Sequence, residues 1–130
     1  MKVDALVFPS DPQTRETADR SPVVTGGNLL ARFIIQVGVP MADEPDADAK
    51  LREATRAALD RAEELAVASV GLPAIGTDPF GFTIERCARA MLAATIGHRA
   101  RGHSLHRAVF CLLGDEQYTT FERVLKELDV

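Results

Sequence analysis

At 130 residues, with 46% hydrophobic and 26% charged side chains, the chain has room for one domain, 1–130, around one core. Its formal charge of −4 argues against binding duplex nucleic acid, which needs a concentration of Lys and Arg. No apolar run approaches membrane length and MKVDALVFPSD lacks a signal-peptide layout, so a cytoplasmic protein with no membrane partner is expected. The first element is a buried strand over 2–8, rich in Val3, Leu6, Val7 and Phe8 and stopped by Pro9. Ser10 to Arg20 is polar and reads as a loop. Val23–Val24–Thr25, then Gly26–Gly27–Asn28, then Leu29 to Val37 reads as a hairpin, the glycines supplying its turn. After a loop over 38–45, Asp43, Glu44, Asp46 and Asp48 crowd the start of a helix, where acidic groups complement the dipole. Leu51, Ala54, Ala58, Ala62 and Leu65 recur at steps of three and four and give that helix a slim apolar face.

Ser69 to Ile75 is the next strand, loosened near its end by Pro73, which donates no ladder hydrogen bond. Thr83 is an N-cap for a helix to about His98, with Ile84, Cys87, Ala88, Met91 and Thr95 inward and Gly97 or Gly102 as its stop. Arg107 to Leu113 forms a further strand. Asp115 caps a last helix with Tyr118, Phe121, Leu125 and Leu128 inward. Strands alternating with helices predict a three-layer α/β/α single domain with a mostly parallel sheet. Ligands in such folds bind beyond the carboxyl ends of the strands. The two cysteines, Cys87 and Cys111, lie in apolar segments and read as buried thiols.

The stretch GLPAIGTDPFGF, residues 71–82, joins a strand to a helix N-terminus through a Gly/Thr/Asp/Pro turn. Free backbone N–H groups and a positive helix end converge at such a corner. The plainer account is a strand-to-helix connection in which Gly76 and Gly81 allow the turn. This stretch resembles the diphosphate loop of the macro domain, the ADP-ribose-binding α/β/α module, which commonly reads FPAISTGIYGF. VDALVFPSD, VVTGGNLLARFIIQVGVP and AVFCLLGDEQYTTFERVL resemble the family's other segments in the same order.

That resemblance implies a binding module for ADP-ribose or a related nucleotide or phosphorylated ribose. It would bind weakly and lack hydrolase activity; were it an enzyme, it would be an ADP-ribosyl or related hydrolase. The implied ligand residues are Ser10, Asp11, Gly76, Thr77, Asp78, Phe80 and Gly81, with no cofactor and no metal. Phe80 is a ribose platform or an ordinary packing residue. Departures from the family pattern weaken the site. Asp78 replaces a glycine, Pro79 removes an N–H, Asp11 replaces an asparagine, and the family's glycine-rich first loop is missing. The family's opening strand, which flanks the last one, is also missing. The strand at 107–113 is then an exposed apolar edge, covered by a second copy or by the C-terminal helix.

Two other readings compete. One is a degenerate macro fold serving as a protein-interaction or oligomerisation unit. The other is a metal-assisted hydrolase using Asp11, Asp78 and Asp115, residues that turns and helix caps also explain. GHRARGHSLHR, residues 97–107, holds His98, His103 and His106 but has no zinc spacing. It reads as a basic helix end or a contact for an acidic partner or second copy.

Overall fold

The computed structural model describes residues 3–10, 17–25, 29–99 and 104–128, with backbone alone for 17–25 and 29–32. The elements are β1 (Ala5–Ser10), β2 (Thr17–Thr25), β3 (Leu29–Gly38), α1 (Ala47–Glu64), β4 (Ser69–Leu72), α2 (Ile84–Arg99), β5 (Arg107–Phe110) and α3 (Gly114–Leu128). The strands form one five-stranded sheet in the order β2-β3-β1-β4-β5. β3, β1, β4 and β5 run parallel, and β2 lies antiparallel on the outer side of β3. β1 is therefore central, between β3 and β4, as short right-handed crossovers require.

The start of β1 is tied to the start of β4 by one side chain. Asp4 Oδ2 accepts from the N–H groups of Ala68 at 2.9 Å and Ser69 at 3.2 Å, while Asp4 N–H donates to Ser69 Oγ at 3.0 Å.

Ala5, Val7, Ile35, Val37, Val70 and Leu72 alternate onto one face of the sheet and share a core with all three helices. α1 packs on α2, and α2 on α3. The intervening residues Leu6, Phe8 and Val109, with Val3 from just before β1, form a separate, smaller cluster on the opposite face. Gly71 lies among them, since a Cβ there would meet Leu6, Val3 and Cys111. Among the described residues no helix lies in that second cluster.

Several local expectations are corrected. Pro9 does not end β1, which continues to Ser10 with Pro9 opposite Val37. The carbonyls of Asp4 and Ser10 both point at β3, accepting from Phe33 and Val39. Residue 9 therefore turns its missing N–H towards β4, whose pairing with β1 has already ended at Leu6–Gly71. β2 starts at Thr17, inside the stretch expected to be loop. It accommodates Pro22 at a register shift between Arg20 and Val23, as an edge strand can. β4 ends at Leu72, immediately before Pro73, and β5 ends at Phe110, short of the expected Leu113. α2 runs through Gly97 to Arg99.

The helix ends follow the chemistry of their caps. Thr83 caps α2, its Oγ1 accepting from Arg86 N–H at 3.1 Å. Asp115 lies in the first turn of α3 and is not its N-cap; Leu113 N–H donates to Gln117 Oε1 at 2.9 Å instead. Only Phe121 and Val124 of α3 are buried, so Tyr118, Leu125 and Leu128 do not point inward as expected. α1 ends in a left-handed residue, Ala66 at φ 57°, followed by buried Val67. Ala66 N–H donates to Glu63 O and Val67 N–H to Ala62 O, the paired bonds of a Schellman end.

Candidate functional site

Ser10, the loop over 39–46 and the loop over 73–83 all follow carboxyl ends of neighbouring parallel strands. Ser10 is half-buried, and its carbonyl accepts from Val39 N–H at 3.0 Å. Asp11 lies outside the described residues. The two loops are joined directly: Ala42 N–H donates to Phe80 O at 2.8 Å. Arg86 reinforces the joint from the first turn of α2. Its guanidinium donates to Asp48 Oδ1 at 2.6 and 2.9 Å and to Ala42 O at 3.2 Å, and lies 4.8 Å over the Phe82 ring.

The 73–82 loop consumes most of its own donors. Gly76 N–H is directed at Cys87 Sγ at 3.4 Å, and Thr77 N–H and Thr77 Oγ1 both donate to Ala74 O, at 3.3 and 2.9 Å. Phe80 N–H donates to Thr77 O at 2.7 Å and Phe82 N–H to Gly76 O at 3.0 Å. Pro79 has no N–H, and its peptide bond with Asp78 is cis. Over 76–82, the amides of Asp78 and Gly81 are those without an acceptor among the described residues. The open amides at the start of α2 lie in the turn that follows.

Each expected site residue has a definite place. Gly76 is buried because a Cβ would come within 2.8 Å of Leu51 Cδ2 and 3.0 Å of the Phe82 ring, so packing already requires it. Gly81 is exposed at φ 92°, a left-handed conformation that favours glycine. Asp78 is exposed at the loop tip and Thr77 is half-buried. Phe80 is buried in the main core, 7% exposed, so its ring packs inside the domain.

Cys87, beneath the loop, is fully buried and reduced; burial pushes its thiol up to about 11 against the hydrogen bonds from Gly76 and Thr77. Cys111 is also reduced but half-buried. Asp115 is exposed on α3, and among the described residues no cluster of three or more His, Cys, Asp or Glu could hold a metal ion. Arg86 and Ala42 were not singled out from the sequence. They contact each other across 44 residues, and no local pattern announces such a pair.

The opposite end of the sheet holds a second polar arrangement. Glu63 Oε1 accepts from Ser104 N–H and Ser104 Oγ, both at 2.8 Å, and from Leu105 N–H at 3.2 Å. Its Oε2 lies 2.7 Å from Nε2 of buried His98, whose Nδ1 faces Asp60 at 3.5 Å. Glu63 thus ties α1 to the end of α2 through His98 and to the segment entering β5 through Ser104 and Leu105. This is a more specific role than the basic helix end expected there.

The strand order, the loop pair at the carboxyl ends and the α2 N-terminus are those of a macro domain. The family model described as Macro domain matches residues 11–91, and the chain belongs to that family. A macro domain-containing protein of Caldanaerobacter subterraneus is 32% identical over 110 residues, covering 82% of this chain and 62% of that protein. An uncharacterized protein of Pyrobaculum aerophilum is 37% identical over 106 residues, covering 81% of this chain and 57% of the relative. The chain thus spans little more than half the length of such relatives.

Among solved structures, the Oceanobacillus iheyensis macrodomain with ADP matches with a TM-score of 0.76 at 22% identity, over 88% of this chain and 58% of that one. The Trypanosoma brucei macrodomain in complex with ADP matches with a TM-score of 0.76 at 16% identity, over 95% of this chain and 63% of that one. Among the described residues no helix is long and apolar enough to cross a membrane.

Proposed function

We propose that this single macro-like domain is a cytoplasmic binding module for ADP-ribose or a related nucleotide or phosphorylated ribose, of low affinity and without hydrolase activity. Ligand contacts are assigned to the first loop around Ser10 and Asp11 and to the 76–81 backbone, with the α2 N-terminus behind it. The observation that carries low affinity is the state of the loop amides. Gly76, Thr77, Phe80 and Phe82 are already directed at protein acceptors, leaving Asp78 and Gly81 to face a phosphate. The Asp78 carboxylate stands beside one of those two donors. At partly screened distances its repulsion of a phosphate costs about 1 kcal/mol or more.

Isothermal titration with ADP-ribose tests this on the wild type and on Asp78→Gly/Pro79→Ile. The double substitution removes one negative charge and restores one donor, and is expected to tighten binding by about 1–3 kcal/mol. Submicromolar binding by the wild type refutes the low-affinity reading, and release of ADP-ribose from a mono-ADP-ribosylated protein refutes the absence of hydrolysis. Failure of both proteins to bind refutes the ligand reading and leaves the macro fold as an interaction unit. The exposed Leu113, Tyr118, Leu125 and Leu128 favour that second reading.

A further inference from the structure

We propose that Arg86 is a positioning residue of the nucleotide site, which sets the direction of the Gly81 amide through Ala42 without touching the ligand. This rests on the nucleotide-binding reading above. A trans peptide unit is planar, so its carbonyl and its N–H point opposite ways. The Phe80 carbonyl and the Gly81 N–H belong to one such unit. Ala42 N–H donates to Phe80 O at 2.8 Å, which turns the Gly81 N–H away from the 39–46 loop. The other open amide, that of Asp78, is oriented by the same rule. The carbonyl of its peptide unit, Thr77 O, accepts from Phe80 N–H at 2.7 Å. The Asp78 amide is thus set within its own loop, whereas the Gly81 amide is set from outside it.

Arg86 holds the outside partner in place. Ala42 has one backbone donor and one acceptor. The donor is used on Phe80, and the acceptor takes Arg86 Nη2 at 3.2 Å. The guanidinium is anchored on α1, where Asp48 Oδ1 accepts from Nη2 at 2.6 Å and from Nε at 2.9 Å. It also lies 4.8 Å over the Phe82 ring, and Phe82 N–H donates to Gly76 O at 3.0 Å. Arg86 therefore holds the residues on both sides of Gly81, Phe80 through Ala42 and Phe82 directly. The bonds from Met41 N–H and from Lys50 to Glu44 fold the neighbouring turn on itself and do not reach the 73–82 loop. Gly81, exposed at φ 92°, offers little resistance to rotation of its peptide, so the outside tie decides the direction.

The local sequence supports a role beyond the helix itself. Thr83 caps α2, and the third residue after such a cap favours Glu or Gln, which completes a capping box. A cation in the first turn also opposes the helix dipole. Arg86 forgoes both, and its partners lie 38 and 44 residues away. A side chain that breaks the local rule and is held by distant elements is the pattern expected at a functional site. Asp48 neutralises the guanidinium, so direct attraction of an anion is not its main contribution.

Amide-resolved NMR titration with ADP-ribose tests this on the wild type, Arg86→Gln, Arg86→Lys and Arg89→Gln. The wild type is expected to shift its Asp78 and Gly81 amides. Arg86→Gln is expected to bind about tenfold more weakly, the loss of one well-directed donor to a phosphate. Arg86→Lys keeps the charge but lacks the planar fork that reaches Asp48 and Ala42 together, and is expected to weaken likewise. Arg89→Gln, which loses contacts to Glu85 and Glu127 instead, is expected to bind as the wild type does. Hydrogen exchange without ligand reads the tie itself. In both Arg86 variants the Ala42 amide is expected to exchange several-fold faster, while the amides of Met91 and Leu92 inside α2 keep wild-type protection. Wild-type affinity in Arg86→Lys, equal weakening in Arg89→Gln, or unchanged Ala42 exchange overturns this proposal alone. A wild type whose amides do not respond to ADP-ribose overturns the nucleotide reading, and this proposal with it.

Discussion

Substituting Glu63 by Gln removes one negative charge at the end of the sheet away from the ligand loops. Partial burial works to raise the Glu63 carboxyl; the hydrogen bonds from Ser104, His98 and Leu105 outweigh it and bring the group from 4.5 down to about 2. At about 1.4 kcal/mol per pH unit, that drop corresponds to about 3 kcal/mol of folding stability at neutral pH. The side chain retains 16% exposure, and solvent screening reduces the figure to about 2 kcal/mol. Because the folded value lies below the unfolded one, this stability is complete above about pH 5 and is lost as the pH falls towards 2. Urea unfolding followed by circular dichroism at pH 7, 5, 4 and 3 measures it. Glu63→Gln is expected to be about 2 kcal/mol less stable at pH 7 and to converge on the wild type in acid. A variant within about 0.5 kcal/mol of the wild type at pH 7, or one whose acid loss runs parallel to the wild type's, refutes the reasoning.

Two further substitutions probe the backbone. Ala66→Gly relieves a left-handed alanine at the end of α1, and after allowance for the greater freedom of glycine in the unfolded chain is expected to stabilise by about 0.5 kcal/mol, read as a raised melting temperature. Gly76→Ala drives a methyl group against Leu51 and the Phe82 ring and is expected to cost about 1–3 kcal/mol in chemical denaturation; an unchanged midpoint would show that the loop yields freely.

The parallel strands and all three helices were legible because their burial follows simple periods. Leu51, Ala54, Ala58 and Ala62 do lie inward, as do Cys87, Ala88 and Met91. The central place of β1 shows in its pairing with both β3 and β4. β2 was read too short because an edge strand tolerates polar residues and Pro22, features that resemble loop. α3 misled in the opposite sense. Its apolar residues are spaced for burial, but among the described residues Tyr118 and Leu125 stay exposed. In the ligand corner, the residue types of the 73–82 loop were readable from the chain. The destinations of its amides were not, because they depend on Cys87 below and on the turn geometry. The Glu63–His98 contact joins residues 35 positions apart and left no local signal.

The bridge from Arg86 to Asp48 and Ala42 ties the 39–46 and 73–82 loops together from the first turn of α2. Ala42 is bonded to Phe80, so a displacement of the 39–46 segment is carried by the backbone into the 73–82 loop. The charges that hold this linkage sit on the first turns of two helices, half in solvent. On the proposed reading, dissolved ions act on the loops twice, once by screening the anionic ligand and once by slackening the Arg86–Asp48 tie between the two loops. A neutral ribose derivative, blind to the first effect, would still register the second.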